Sequence, residues 1–504
     1  MKDGRRAVDA PKQPVVSYEN LMGMVARSVF YRPERRRVRD LVSRKAQPQL
    51  KIDGVRFPLF DVSMNGASFL DPNGGEKWSI GKVVEVTLLL HDDEVFSGAA
   101  RVARTEVGAR GTLVGLALIG GFLDLPEIQR RDDEKKLEEQ LADGARRERD
   151  MVPENYRHRV AEIVHFFQYY RHNLDYHEQR YRREGASDAD IMQLARRAAD
   201  ALREPYVQLQ LDASAAAREC LADRDVLVAS KEHTEHVLVP LQLDIPLNNR
   251  AYTKPLGYPG DYQVMLYYYD NKFEGDSVFT KIMHKFSVEH PLSNGVRTRK
   301  DWMVGVMQAE HRRLIADGGG HPVFRVANLG CGPAREVSDY IARAQSWPGE
   351  VVWTLIDQEE QALSVAFRAG QTEIARTGAS GQLHLLNLSF MQLLTEGLPM
   401  QWAEPQHMIV SAGLFDYLRE GRAQPLIRGL YDLLAPGGLL AVGNAIAPQP
   451  MFWTPEFLGD WTLLYRTREE MSKLARLIPD EAEIDVIVEP GNAYYFLLVR
   501  RPWK

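Results

Sequence analysis

In the last third of the chain, apolar runs alternate with helical patterns. Val323–Leu329, Val351–Ile356, His407–Val410, Leu439–Val442 and Tyr494–Val499 are the runs. Continuous apolar strands of this kind are buried on both faces, which requires helices above and below the sheet. The segment therefore predicts a mostly parallel α/β sheet. Directly after the first run comes Asn328-Leu-Gly-Cys-Gly-Pro-Ala-Arg-Glu336. Gly330 and Gly332 let the backbone turn tightly and pass close to a ligand. Asp357 ends the next run, 27 residues beyond Gly330. An acid at that place can accept hydrogen bonds from both hydroxyls of a ribose.

Upstream the texture changes twice. Residues 45–125 hold β-rich or alternating runs, such as Val83–Leu88 and Ala100–Arg104. Turn signals at Asp71-Pro-Asn-Gly-Gly75 and His91-Asp-Asp93 separate them. A small antiparallel barrel or sandwich is expected there. Residues 127–245 read as helices. Arg130–Asp150 is dense in alternating charge, as in a solvated linker helix. Val160, Ile163, Val164, Phe167 and Tyr170 fall near helical spacing, as do Ile191, Leu194, Ala195 and Ala198. Both sets predict core stripes of a helical bundle, with a hydrophobic ligand groove as the other reading.

The glycine segment admits a nucleotide, a dinucleotide or S-adenosylmethionine. A dinucleotide fingerprint places a third glycine where Ala334 and Arg335 stand. Further on, Leu433-Leu-Ala-Pro-Gly-Gly-Leu-Leu440 reads as a helix end, a turn and an apolar strand. With these motifs the region resembles the class I S-adenosylmethionine-dependent methyltransferases, over about 180 residues. The resemblance implies a Rossmann-like fold. It implies that Gly330 and Gly332 approach the methionyl part of the cofactor, that Asp357 holds the ribose and that Asn387 lies near the adenine. Asn328 stands where the family often has an acid, and Ser411 begins the segment facing the expected transfer site, Ser411–Leu418. Nucleobase-amine methyltransferases often carry Pro-Pro-Tyr or Pro-Pro-Phe there, and it is absent.

A second constellation is Lys254-Pro-Leu-Gly-Tyr-Pro-Gly-Asp-Tyr262, a rigid turn that would present Tyr258, Asp261 and Tyr262. His290-Pro291 and the pair Arg297 and Arg299 follow. In this order the motifs look like a bacterial subfamily that includes enzymes assigned to making 3-hydroxy fatty acid methyl esters as extracellular signals. An ionised carboxylate acceptor needs no base, whereas a hydroxyl or amine does. Asp261, Asp416 and His290 are the candidates for base or orienting group, with Tyr262 beside them. Arg297 or Arg299 could pair with a carboxylate, or form a structural salt bridge.

Near the N-terminus, Tyr31–Asp40 packs five arginines into ten residues. Asp61-Val-Ser-Met-Asn-Gly66 begins 22 residues past Arg39. This Arg-x-x-x-Arg, then Asp-x-Ser-x-x-Gly, followed by short strands, resembles the PilZ domain, which binds cyclic di-GMP. The likeness implies that Arg35, Arg36 and Arg39 bind the dinucleotide with Asp61, Ser63 and Gly66; Arg32 and Arg36 also satisfy the spacing. Arginine suits such a ligand because it pairs bidentately with guanine and neutralises phosphate.

The expected plan is thus an extension at 1–30, a PilZ-like barrel at 31–126, a charged linker helix at 127–152, a helical cap or substrate region at 153–315, and a class I methyltransferase domain at 316–504. The expected activity is cyclic di-GMP-responsive methylation of a small molecule, with a carboxylic or fatty acid as the acceptor the subfamily likeness implies. The alternative is a non-catalytic effector whose methyltransferase-like domain binds a protein. A net charge of −6, from 63 Lys and Arg against 69 Asp and Glu, disfavours nucleic acid. Cys220 and Cys331 are the two cysteines and fit a reducing compartment. No signal-peptide pattern and no run near the roughly 20 residues of a membrane helix is seen. A cytoplasmic protein without a metal is expected, with a homodimer as a further expectation.

Overall fold

The computed structural model describes residues 36–42, 46, 48–72, 77–108, 111–119, 121–318, 323–343, 349–388 and 404–503. Arg32 and Arg35 lie outside the described residues, and for Arg36 and Arg39 only the backbone is described. Two compact units divide the chain, Met1–Arg147 and Glu148–Lys504.

The first unit is a closed antiparallel barrel. Its strands are β1 (Arg36–Arg37), β2 (Gln49–Ile52), β3 (Val55–Ser63), β4 (Gly66–Asp71), β5 (Val83–Leu90), β6 (Asp93–Gly108) and β7 (Gly111–Ile119). The order β1-β3-β2-β5-β6-β7-β4 is closed by pairing of β3 with β4, giving a six-strand ring with β1 added to β3. Closure removes the sheet edges that a sandwich would leave. Alternation places Leu50, Ile52, Val86, Leu88, Ala100, Val102, Val114 and Leu116 inside. Phe57, Phe69 and Trp78 cluster there, with Phe57 and Phe69 centroids 4.7 Å apart. Trp78 Nε1 donates to Asp71 at 2.7 Å, which satisfies the buried indole. The charged helix α1 (Leu125–Glu139) is more than a solvated rod. Leu125 and Ile128 join the barrel core. Asp132 is buried and meets His91 Nε2 at 2.9 Å and Lys136 Nζ at 3.1 Å.

The second unit begins with helices: α2 (Glu154–Arg183), α3 (Asp188–Cys220), α4 (Arg224–Val237), α5 (Pro246–Thr253), α6 (Tyr262–Asp270), α7 (Val278–Val288) and α8 (Pro291–Gly318). Val160, Ile163 and Phe167 pack against Ile191, Ala195 and Phe279 in one core, so the stripes are core stripes. A capping box at Ser187 and Asp190 starts α3.

The sheet comprises β8 (Val323–Leu329), β9 (Glu350–Asp357), β10 (Gly381–Asn387), β11 (Gln406–Ser411), β12 (Leu434–Ala445), β13 (Glu483–Val488) and β14 (Tyr494–Arg500), with α9 (Arg335–Arg343) and α10 (Glu360–Thr377) among its crossovers. Its order is β10-β9-β8-β11-β12-β14-β13. Four pairings are parallel, β10–β9, β9–β8, β8–β11 and β11–β12. The last run folds back, and β14 is antiparallel to both β12 and β13. Buried side chains line both faces. Among the described residues, no helix is long and apolar enough to cross a membrane.

Candidate functional site

From β8 the chain winds to β9 and β10 on one side, while β11 continues to β12 on the other. That reversal is a topological switch point, and it opens a crevice beyond the carboxyl ends of β8 and β11. The loops that follow these strands come into contact at its base. A Cβ on Gly330 would lie 3.4 Å from Leu414 Cβ.

Gly330 has φ +63° and Gly332 φ +53°, the left-handed region that glycine enters freely. The Gly330 N–H donates to the Ile356 carbonyl at 2.8 Å, which bends the loop toward β9. A Cβ on Gly332 would meet nothing within 4 Å, so open space lies beside it. Asp357 Oδ2 accepts from the Gly332 N–H at 2.8 Å, and Oδ1 from the Glu359 N–H at 2.9 Å. Burial pushes its carboxyl above the usual range, partly offset by these donors. The Gln358 N–H bonds the same carboxylate, and a carboxylate has about four acceptor sites, so capacity for a ribose hydroxyl remains. Asn387 Nδ2 donates to the Asp357 carbonyl at 3.2 Å, so Asn387 stands beside this acid.

Asn328 is buried, and its Nδ2 donates to Glu336 Oε1 at 2.5 Å. Glu336 lies in the first turn of α9 and is itself buried. A buried carboxylate thus stands beside Asn328, eight residues later in the chain. Burial raises the Glu336 carboxyl, with Asn328 and Arg299 opposing. Ser411 Oγ donates to the Leu329 carbonyl at 2.9 Å, a strut between β11 and β8. Cys331 is buried and burial drives its thiol far up, which disfavours the reactive thiolate.

The upstream turn closes over this crevice. Lys254 pairs with Asp460. Tyr258 bonds to Gln358, and burial together with the carboxylates of Asp357 and Glu359 pushes its phenol up. A Cβ on Gly260 would lie 2.4 Å from the Trp461 ring and 3.0 Å from Tyr417 Oη. Trp461 Nε1 donates to that same oxygen at 2.9 Å. Tyr262 Oη donates to Gln361 Oε1 at 3.0 Å. Asp261 is buried and occupied: Arg250 Nε lies 2.9 and 2.8 Å from its oxygens, and Oδ1 caps α6 through the N–H groups of Gln263 and Val264. It orients the turn and is not free to act as a base.

His290 is likewise a structural tie. Its Nδ1 accepts from the Leu292 N–H at 3.3 Å, and its Nε2 donates to the Met451 carbonyl at 3.2 Å. Burial lowers its pKa to about 4, so it is neutral at pH 7 with both nitrogens engaged. Asp416 differs. It is buried at the β11 exit, Oδ1 accepts from the Ala445 N–H at 2.7 Å, and burial pushes its carboxyl up to about 6. Among the described residues its other oxygen accepts no hydrogen bond. Of the acids and bases expected from sequence, it alone keeps an open oxygen at the crevice. Arg297 clamps α8, donating to the carbonyls of Tyr268 and Val288. Arg299 makes no salt bridge among the described residues.

In the barrel, β1 pairs Arg36 with Val62 and Arg37 with Asp61, so the backbone of the arginine segment runs beside the second motif. Arg104 lies 3.9 Å from Asp61. Ser63 Oγ donates to Asn65 Oδ1 at 3.1 Å. Gly66 is needed for packing: a Cβ there would lie 2.6 Å from the Leu116 carbonyl oxygen. The close approach that Gly66 permits is to β7.

No protein-family model matches the chain, and no curated protein matches it. Among solved structures it overlaps magnesium protoporphyrin IX methyltransferase (ChlM) from Synechocystis PCC 6803 with bound SAH, at 14% identity and a TM-score of 0.32, over 48% of this chain and 96% of that one. The methyltransferase SibL in its apo form gives 19% and 0.31, over 61% and 89%. The N-methyltransferase NodS from Bradyrhizobium japonicum WM9, with SAH, gives 17% and 0.25, over 38% and 85%. Overlaps this distant carry no weight for function, which rests on the geometry of the crevice.

Proposed function

We propose that the second unit is an S-adenosylmethionine-dependent methyltransferase acting on a small molecule, with a carboxylic or fatty acid as the favoured acceptor class. The observation that carries this reading is the convergence of an open glycine loop, the ribose-type acid Asp357 and the closing turn 254–262 on one switch-point crevice. Gly330 and Gly332 leave room for the methionyl part, and Asp357 takes the ribose. Bound S-adenosylmethionine supplies an electrophilic methyl group. The chain positions the acceptor in line and excludes water, the role of Trp461, Tyr417 and the turn above them. For an acceptor that must lose a proton, Asp416 is the general base. With its pKa near 6 it is ionised at pH 7 and basic enough to take a proton.

The barrel is read as the input unit for cyclic di-GMP. The support is the pairing that brings Arg36 and Arg37 alongside Val62 and Asp61. Mass spectrometry of small-molecule extracts incubated with the full chain and a labelled methyl donor tests the activity. A labelled product is expected; its absence across extracts, with no cofactor binding, overturns the reading. Repeating the assay at saturating cyclic di-GMP tests the input, and an unchanged rate removes it.

A further inference from the structure

We propose that Arg299 anchors the carboxylate of the methionyl group of the bound cofactor, an inference that rests on the methyltransferase reading above. Arg299 comes from α8, outside the sheet, and is 7% exposed. A buried guanidinium normally meets a carboxylate or several carbonyls, because taking its charge out of water is costly. Here its Nη1 is buried with no partner, and among the described residues Arg299 donates no hydrogen bond and forms no ion pair. Its protein contact is the Tyr494 ring, 4.2 Å from Cζ. That contact holds the guanidinium plane without using its donors.

Both terminal nitrogens lie against the loop that leaves β11. A Cβ on Gly413 would lie 3.2 Å from Nη2 and 3.4 Å from Nη1 of Arg299. Gly413 follows β11 at its carboxyl end, and Tyr494 pairs with Ala445 at the end of β12. The guanidinium thus sits on the rim that the glycine loop faces. Glu336, Asp416, Tyr269 and Tyr417 lie within electrostatic reach, yet none is within hydrogen-bond distance. Asp357 ends β9 and Gly413 follows β11, two strand spacings or roughly 10 Å apart. A cofactor with its ribose on Asp357 and its tail over Gly330 runs along this line toward Arg299. The planar fork matches a carboxylate bidentately, which neither the ribose nor the adenine can offer.

The test uses two thioethers and the full chain in calorimetry. S-adenosylhomocysteine carries the carboxylate. Its decarboxylated counterpart keeps the amine and lacks the carboxylate. In the wild type the first is expected to bind about 10- to 100-fold more tightly, the range for a charge-assisted hydrogen-bonded pair. In Arg299→Met that preference falls to near unity, while affinity for the decarboxylated thioether changes by less than about 3-fold. Arg299→Lys, which keeps the charge, restores part of the preference. Should Arg299→Met fail to fold, the wild-type ratio and the lysine variant still decide. Equal wild-type affinities, or an Arg299→Met variant that keeps the full preference, overturn the assignment while leaving the methyltransferase reading intact. Absence of binding by both thioethers in the wild type overturns that reading itself.

Discussion

Both units place a glycine motif at the end of a strand, and they use it for opposite purposes. In the barrel, Gly66 is glycine because the Leu116 carbonyl lies where a Cβ would be. In the sheet, Gly332 has φ +53° and open space beside it. The first glycine lets two strands approach; the second leaves backbone uncovered. A similar contrast holds for the serines and acids. Ser63 is satisfied by Asn65, two residues away, whereas among the described residues one oxygen of Asp416 receives no donor. What a Cβ would meet thus separates a glycine required by packing from one that leaves backbone uncovered.

Four substitutions sharpen this contrast, the largest effect first. Asp416→Asn is expected to lower kcat by about 10²–10⁴-fold if the acceptor must be deprotonated. For such an acceptor the wild-type rate should rise with pH through about 6 and the variant should lose that limb, whereas a carboxylate acceptor should show neither effect. The same group has a stability signature. Its native pKa lies above the unfolded value, so its contribution is present below about pH 4 and is lost as pH rises through about 6. Thermal melts of the variant should show a weaker dependence across that window. Gly332→Val comes next. It should cut cofactor affinity by about 100-fold or more in calorimetry, since a branched side chain enters the open space and the left-handed φ strains it. Gly66→Ala should leave cofactor affinity untouched and destabilise the barrel by about 1–3 kcal/mol in denaturant titration, through the clash with Leu116. A Gly66→Ala chain with normal stability would contradict the packing role. Ser411→Ala, which removes only the strut to Leu329, should cost about 0.5–1.5 kcal/mol and shift affinity little.

The parts of the fold legible in sequence were those with a strong local signal. The run predicted at Val323–Leu329 is β8 with the same limits, because a strand buried on both faces is mostly apolar, here with Arg325 and Asn328 as the polar members. The edge strands β10 and β13 gave no such signal. Gly381–Asn387 and Glu483–Val488 are largely exposed and carry polar side chains. Pro436-Gly437-Gly438 suggested a turn before a strand, yet β12 runs through it. Gln406 opposes Leu434 and Met408 opposes Leu439, so the extra residues bulge out of register. In the site, Gly330, Gly332 and Asp357 could be found from their place after strands. Glu336 stood at the end of the same motif and could have been suspected once Asn328 left the acid position empty. Trp461 had no signal. His290 looked like a base by residue type, but its partner is the carbonyl of Met451, 161 residues away. Long-range pairing of that kind decides a titratable group's role and leaves no trace in its own neighbourhood.

The central claim is that the crevice at β8, β9 and β11 holds S-adenosylmethionine through Asp357. Calorimetry of S-adenosylhomocysteine against the full chain and against Asp357→Ala tests it most directly. The account predicts saturable one-to-one binding by the wild type and a loss of at least about 30-fold in the variant, with the melting transition retained. Equal affinities in the two proteins, or no binding by the wild type, would contradict it.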